Sequence, residues 1–386
     1  MQEISDKSLA NSRPKINIGI LTFPAGKTGC IPLSNLIDIL HPLSSSLYVI
    51  TGNDGYDLFK NDPRIKICGI PHKSGTNIIS RVVNYIIAQI KISTKFLKKD
   101  SQKVDCWFFF LGGPALAIPM LTAKFFGKKV ILIFAGSDVE SVKADSINLS
   151  KPIAVLVSIS LLLSDKIILY SSNLVRQWNL EKYEHKICVA PRHFVDFNNY
   201  NIKTKYSDRS NTVGYIGRLS VEKGVFNYVE AIPIVLSKRP DVIFQIIGQG
   251  PLIDKIKEYL IDKRITENVK LIGWVNHKDL PKYLNQLKLV VLPSYTEGLP
   301  NIILEAMACG TPVLATPVGA IPDIIKKGEN GFIMDNNSPE CIAENILSSI
   351  NDKKLEQITT AALEFVKTEF TYERTIFNYS KIINGL

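Results

Sequence analysis

The sequence has no C-x-x-C and no close cysteine pair; Cys30, Cys68, Cys106, Cys188, Cys309 and Cys341 are scattered over 386 residues. This excludes a disulfide framework and a thiolate metal cluster, and reads as reduced thiols in a cytosolic protein. The five histidines show no metal-ligand spacing, so no metal is expected. Internal repeats and low-complexity tracts are absent too. No uncharged run reaches the ~20 residues of a bilayer-spanning helix. Residues 107–123 lack charge but hold Gly112-Gly113-Pro114 and Pro119, so a buried strand, turn and helix is expected there; residues 153–163 read as a core helix. Residues 1–14 carry Glu3, Asp6, Lys7 and Arg13 without an apolar core, which fits a short mobile leader and not a secretory signal.

What is present is 46% apolar and 21% charged, which excludes disorder and fibrous classes and, at this length, predicts two domains. The net charge of +10 points to an anionic partner, and it is unevenly placed. Residues 1–200 hold 24 Lys+Arg against 15 Asp+Glu, and residues 201–386 hold 22 against 21. The first half carries nearly all the excess.

Short apolar runs alternate with helical patterns, the signature of parallel sheets covered by helices. The first half offers strands at 16–23, 47–50, 65–70, 106–111, 130–135, 166–170 and 187–190, with a long helix at 77–98. The second half restarts at 212–216 and continues at 242–247, 269–272, 289–292, 312–315 and 331–334. Residues 196–211 between them are polar and aperiodic, as a linker would be. The expected fold is α/β, with two Rossmann-like doubly wound domains facing a central cleft. The expected boundaries are 1–197, 198–365 and a C-terminal helix at 366–386 packing back on the first domain. Ligands in such sheets sit at the carboxyl ends of the strands.

Three strand ends of the second half carry chemistry. In PSYTEGLPNIILEAMACGTPVLATP, Glu297 precedes Gly298-Leu299-Pro300-Asn301 and a helix that Gly310 stops. A turn opening a helix presents free N–H groups and the positive end of its dipole to a phosphate. Glu297 and Glu305, eight residues apart, would lie roughly 12 Å apart on one helix, wide for a glycosidase pair. The break at Gly298-Pro300 puts Glu297 on a loop, so the two acids grip different parts of one ligand or are plain surface acids. In GRLSVEKG (217–224), Arg218 and Lys223 sit where a guanidinium and an ammonium would stabilise a departing diphosphate, unless they are simply solvated. Gly248-Gln249-Gly250-Pro251 either admits a ligand to the backbone or makes a tight turn.

Taken in order, GRLSVEKG, IGQGP, EGLPNIILEAMACGTPV and VGAIPDII…GENGF resemble the nucleotide-sugar domain of family-4 (group 1) glycosyltransferases, whose architecture is the two-Rossmann GT-B fold. The resemblance covers residues 211–350. It implies that Arg218 and Lys223 hold the donor diphosphate, that Glu297 with the backbone of Gly298, Leu299, Pro300 and Asn301 meets sugar and phosphates, and that Glu305 hydrogen-bonds the ribose. Gly217, Gly248 and Gly250 would shape the donor site. Such enzymes are typically retaining and metal-independent, which agrees with the absence of a D-x-D motif; the nucleotide-diphosphate sugar is a co-substrate, and no cofactor is expected.

The first half resembles the family more loosely. Gly26 and Gly29 stand at the position of its glycine-rich loop, without the doubled glycine. Asp138 stands where many members carry a cleft histidine, and it serves either as an acceptor- or sugar-orienting carboxylate or as an N-cap. Arg192-His193 replaces the commoner Asn-Gly of the domain boundary, with cleft and structural-elbow readings both open. Residues 77–98 form a basic amphipathic helix that lies on an anionic bilayer or packs between domains. Because this domain binds the acceptor in the family, a glycan or lipid-linked acceptor and peripheral contact with the inner face of the cell membrane are expected of a cytoplasmic protein. The alternatives are a nucleotide-sugar epimerase of the same architecture and a basic nucleic-acid-binding protein. No helix-turn-helix, RNP or zinc pattern supports the latter, so no nucleic acid is expected.

Overall fold

The computed structural model describes residues 16–73, 75–134 and 147–386, which form two compact units. Of these residues the first unit comprises those up to Tyr170, Val175–Arg192 and Thr375–Leu386, the second Ser171–Leu174 and His193–Arg374.

The first unit is built on seven parallel strands: β1 (Ile16–Thr22), β2 (Ser44–Thr51), β3 (Ile65–Gly69), β4 (Cys106–Phe110), β5 (Lys129–Ile133), β6 (Lys166–Leu169) and β7 (Ile187–Val189). Their order is β3-β2-β1-β4-β5-β6-β7. The central strands are apolar at nearly every position because helices cover both faces, and all five residues of β4, CWFFF, are buried. β1 and β4 are neighbours, with Ile18 opposite Cys106 and Thr22 opposite Phe110. The chain runs outward from β1 to β3, returns to β4 and continues the other way. Right-handed crossovers then put helix Ile78–Lys95 on the face opposite helix Lys27–Leu40. Helices Ala117–Phe125 and Ile147–Leu163 join Ile78–Lys95 in that layer, side by side. The expected strand, turn and helix across 107–123 is present. Helix Tyr372–Asn384 closes the chain, and its fully buried Tyr379 stacks near Phe108 of β4 at 6.4 Å.

The second unit holds β8 (Thr212–Ile216), β9 (Ile243–Ile247), β10 (Val269–Gly273), β11 (Leu289–Leu292), β12 (Val313–Ala315) and β13 (Phe332–Ile333), all parallel, in the order β10-β9-β8-β11-β12-β13. This is the Rossmann order, with its switch point between β8 and β11. Helices Val225–Lys238 and Pro339–Ile350 pack together over the sheet, with Tyr228 and Phe244 at the centre of the core. The Tyr228 hydroxyl donates to the carbonyl of Val213.

Two expectations need correcting. The polar segment 196–211 is not a free linker: the Asn285 side chain accepts from the backbone N–H of Lys203 (2.6 Å) and Thr204 (3.1 Å). Buried Arg209 donates to the carbonyls of Thr204, Leu287 and Cys309 and to the Thr311 hydroxyl. The segment is polar because its side chains fasten it to the second unit. The helix expected in the core at 153–163 buries Val157 and Leu161 but leaves Val155 and Leu162 exposed, since it has apolar residues on both sides and only one side faces protein.

Candidate functional site

The loops after β8 and β11 meet at the switch point of the second unit. After β8 the chain makes a turn through Gly217 and Arg218, a short 3-10 turn Val221–Lys223, and Gly224 at φ +63°, from which helix Val225–Lys238 starts. Gly224 is required there. A Cβ on it would lie 2.0 Å from the carbonyl oxygen of Pro293, so any other residue would push the two loops apart. The backbone N–H of Tyr295 donates to the Glu222 carbonyl, closing the same seam.

Across the seam the Lys223 ammonium lies 2.7 Å from Glu297 Oε1, which also accepts from the Ser294 hydroxyl at 2.8 Å. The Glu297 side chain is nearly buried at 8% exposure, and Lys223 keeps 26%, so the ammonium retains donors for a second anion. Arg218 pairs with Glu222, whose carboxylate also accepts from Ser220. Burial pushes the Glu222 carboxyl up, but the Ser220 hydroxyl, a backbone N–H and the cations of Arg218 and Lys223 outweigh it and hold the group below its usual range. The Arg218 side chain is 60% exposed, and most of its fork faces solvent. Two cations thus stand at one strand end, each tethered by a carboxylate.

Past Glu297, Gly298 accepts from the N–H of Ala320, Leu299 is buried, and Pro300 precedes helix Asn301–Ala308 without giving a side-chain cap. Helix Asn301–Ala308 thus starts shortly after Glu297 in the chain, with no side-chain cap on its first turn. Glu305, buried on this helix, meets His277 Nε2 at 2.8 Å. The hydrogen bond to Glu305 raises the His277 pKa; burial opposes this, and the negative charges of Glu305 and Asp196 reinforce it. Buried Tyr200 donates to the His277 carbonyl at 2.9 Å and packs its ring on the imidazole.

His277 is the site residue that sequence reasoning missed. It is 28 positions from Glu305 and lies in the connection from β10 at the sheet edge back to β11. That connection passes the helix following β11, and only the strand order reveals the meeting.

At Gly248 and Gly250 another stretch of backbone comes close. A Cβ on Gly248 would lie 1.9 Å from the carbonyl oxygen of Gly217, and one on Gly250 2.4 Å from that of Leu219. The backbone that approaches them is the neighbouring turn after β8, which leaves no room for a side chain at either position.

In the first unit Gly26 is the exposed residue before helix Lys27–Leu40, and Gly29 donates its N–H back to Gly26, at the end of β1 beside β4. Asp138 lies outside the described residues. Arg192 is buried, donating to the Tyr170 hydroxyl at 3.0 Å with its guanidinium over the Phe110 and Tyr170 rings; His193 is buried too. These contacts fit the structural-elbow reading. Among the described residues no group of His, Cys, Asp and Glu could hold a metal ion, and no helix is long and apolar enough to cross a membrane.

Two parallel α/β sheets, the second in Rossmann order, give the chain a fold of the GT-B type. The crystal structure of Anabaena Alr3699/HepE in complex with UDP superposes with a TM-score of 0.77 over 96% of this chain and 100% of that one, at 18% identity. Residues 196–364 match the family model for group 1 glycosyl transferases. The chain is 28% identical over 225 residues to the uncharacterized glycosyltransferase MJ1178 of Methanocaldococcus jannaschii, covering 58% of this chain and 60% of the relative. It is 30% identical over 164 residues to the capsular polysaccharide biosynthesis glycosyltransferase CapM of Staphylococcus aureus, covering 41% and 42%. The alignments thus span between two fifths and three fifths of these relatives.

Proposed function

We propose that the protein is a retaining glycosyltransferase that moves a sugar from a nucleotide-diphosphate donor to a hydroxyl acceptor, without a metal. The observation that carries this reading is the Lys223–Glu297 pair at the Rossmann switch point, with Arg218 beside it and an uncapped helix start at Asn301. Lys223 and Arg218 would neutralise the departing diphosphate, taking the place of a divalent cation. Glu297 and the backbone of Gly298 to Asn301 would hold the sugar and phosphates. Glu305, oriented by His277, would accept from the ribose. The UDP in the HepE complex favours a uridine donor, and CapM favours a cell-surface polysaccharide precursor as product.

The first unit would take the acceptor, and a lipid-linked glycan fits its charge. Helix Ile78–Lys95 would then rest on the anionic inner face of the cell membrane, with Arg81 and Lys91 exposed. Binding of UDP-, GDP- and ADP-sugars to the full chain tests the donor side. One class should bind in the parent and be lost in Glu297→Ala. Conversion of the bound donor to an epimer without acceptor would replace transfer by epimerisation, and binding of none would remove the reading.

A further inference from the structure

An ordinary surface helix turns one apolar stripe inward and polar residues outward. Helix Ile78–Lys95 does not: Ala88, Gln89 and Ile92 are buried, while a second stripe at helical spacing, including Ile79 (77% exposed), Ile86 and Ile90, faces solvent. Its neighbour Ala117–Phe125 repeats the pattern, burying Ala117, Met120 and Ala123 and exposing Leu121 (50%) and Phe125 (86%). The next helix in the layer, Ile147–Leu163, exposes Leu162 (67%). Among the described residues, twelve of the 21 large apolar side chains that stand exposed fall on these three adjacent helices. That is a concentration, and scattered exposure does not produce it.

Charge identifies the occupant. The three helices contain no Asp or Glu, and they carry Arg81, Lys91, Lys95, Lys124 and Lys151. Lys124 is held by Asp165 at 2.8 Å, whereas Arg81, Lys91 and Lys151 are exposed. A second copy of the chain would set two cationic faces against each other. A surface with an apolar interior and anionic headgroups matches both properties.

We infer that these three helices form one membrane-inserting face, whose apolar side chains enter the headgroup and acyl boundary of an anionic bilayer while the basic residues meet lipid phosphates. The inference rests on the membrane contact proposed above for Ile78–Lys95. It adds two helices to that contact and makes its mode apolar insertion instead of charge adsorption.

Flotation of the full chain with phosphatidylglycerol-containing vesicles, without donor or acceptor, separates the two. The parent should float at low salt and stay bound at roughly 0.5 M salt, where charge attraction reaches only a few ångströms. The double variant Phe125→Asp/Leu162→Asp, altered outside helix Ile78–Lys95, should lose vesicle binding at least about tenfold with an unchanged melting curve. Parental binding that vanishes at high salt, with Phe125→Asp/Leu162→Asp still bound at low salt, would overturn insertion and leave the basic-helix contact standing. No flotation of the parent with any vesicle would overturn both. A dimer in light scattering that this variant dissociates would make the face a protein interface and overturn the inference.

Discussion

Removing the Lys223 ammonium takes the cation from a nearly buried Glu297 carboxylate and leaves it the Ser294 hydroxyl as donor. Breaking a fully buried pair from one side costs about 3–5 kcal/mol, and an exposed pair is worth at most about 1 kcal/mol. Lys223 is a quarter exposed, so Lys223→Ala should destabilise the protein by about 1–2 kcal/mol, lowering Tm by several degrees for a unit of this size. Glu297→Gln keeps the shape and the Ser294 contact and releases an ammonium that can turn to water, so it should cost about half as much. The double variant should fall short of the sum by about 1 kcal/mol, read by urea unfolding of the full chain in a double-mutant cycle. Each single variant should fold cooperatively and lose transfer. Additivity within about 0.3 kcal/mol would show that the pair does not couple the two loops, and near-normal turnover in either variant would remove that residue from its role.

The opposite balance is expected for Arg218→Ala. Its side chain is largely solvent-facing, so stability should change by no more than about 0.5 kcal/mol while donor affinity, read by calorimetry, falls at least about tenfold; unchanged affinity would contradict the phosphate assignment. His277 gives a pH dependence of stability. Glu305 raises its folded pKa above the unfolded value near 6.5, so the imidazolium's contribution is fully present below about pH 6.5 and is lost as pH rises through the folded pKa. The unfolding free energy of the parent relative to His277→Gln should therefore decline from about pH 6 upward. A difference independent of pH would show that the imidazole is not held as a cation on Glu305.

The strands were legible because parallel sheets buried on both faces demand unbroken apolar runs, and CWFFF, KVILI and LVVL have no other economical explanation. The strand-end loops carrying Arg218, Lys223 and Glu297 were legible for the same reason, since a polar motif directly after such a run must sit at the carboxyl edge. Contacts between distant segments were not. GQGP reads equally as a ligand loop or a tight turn until the β8 turn is seen lying on Gly248. The composition of 196–211 suits a linker, and the buried hydrogen bonds of Arg209 and Asn285 decide otherwise. His277 carries no local signal at all. Apolar content at 153–163 likewise says that the helix avoids water, not which side of it meets protein.

Sugar transfer at the Lys223–Glu297 site is tested most directly by turnover of a UDP-sugar by the full chain with a lipid-linked glycan acceptor, the product linkage read by NMR. The expected result is release of nucleoside diphosphate coupled to a new glycosidic bond with the donor's anomeric configuration retained, abolished in Glu297→Ala. An inverted product, or undiminished turnover in that variant, would contradict it.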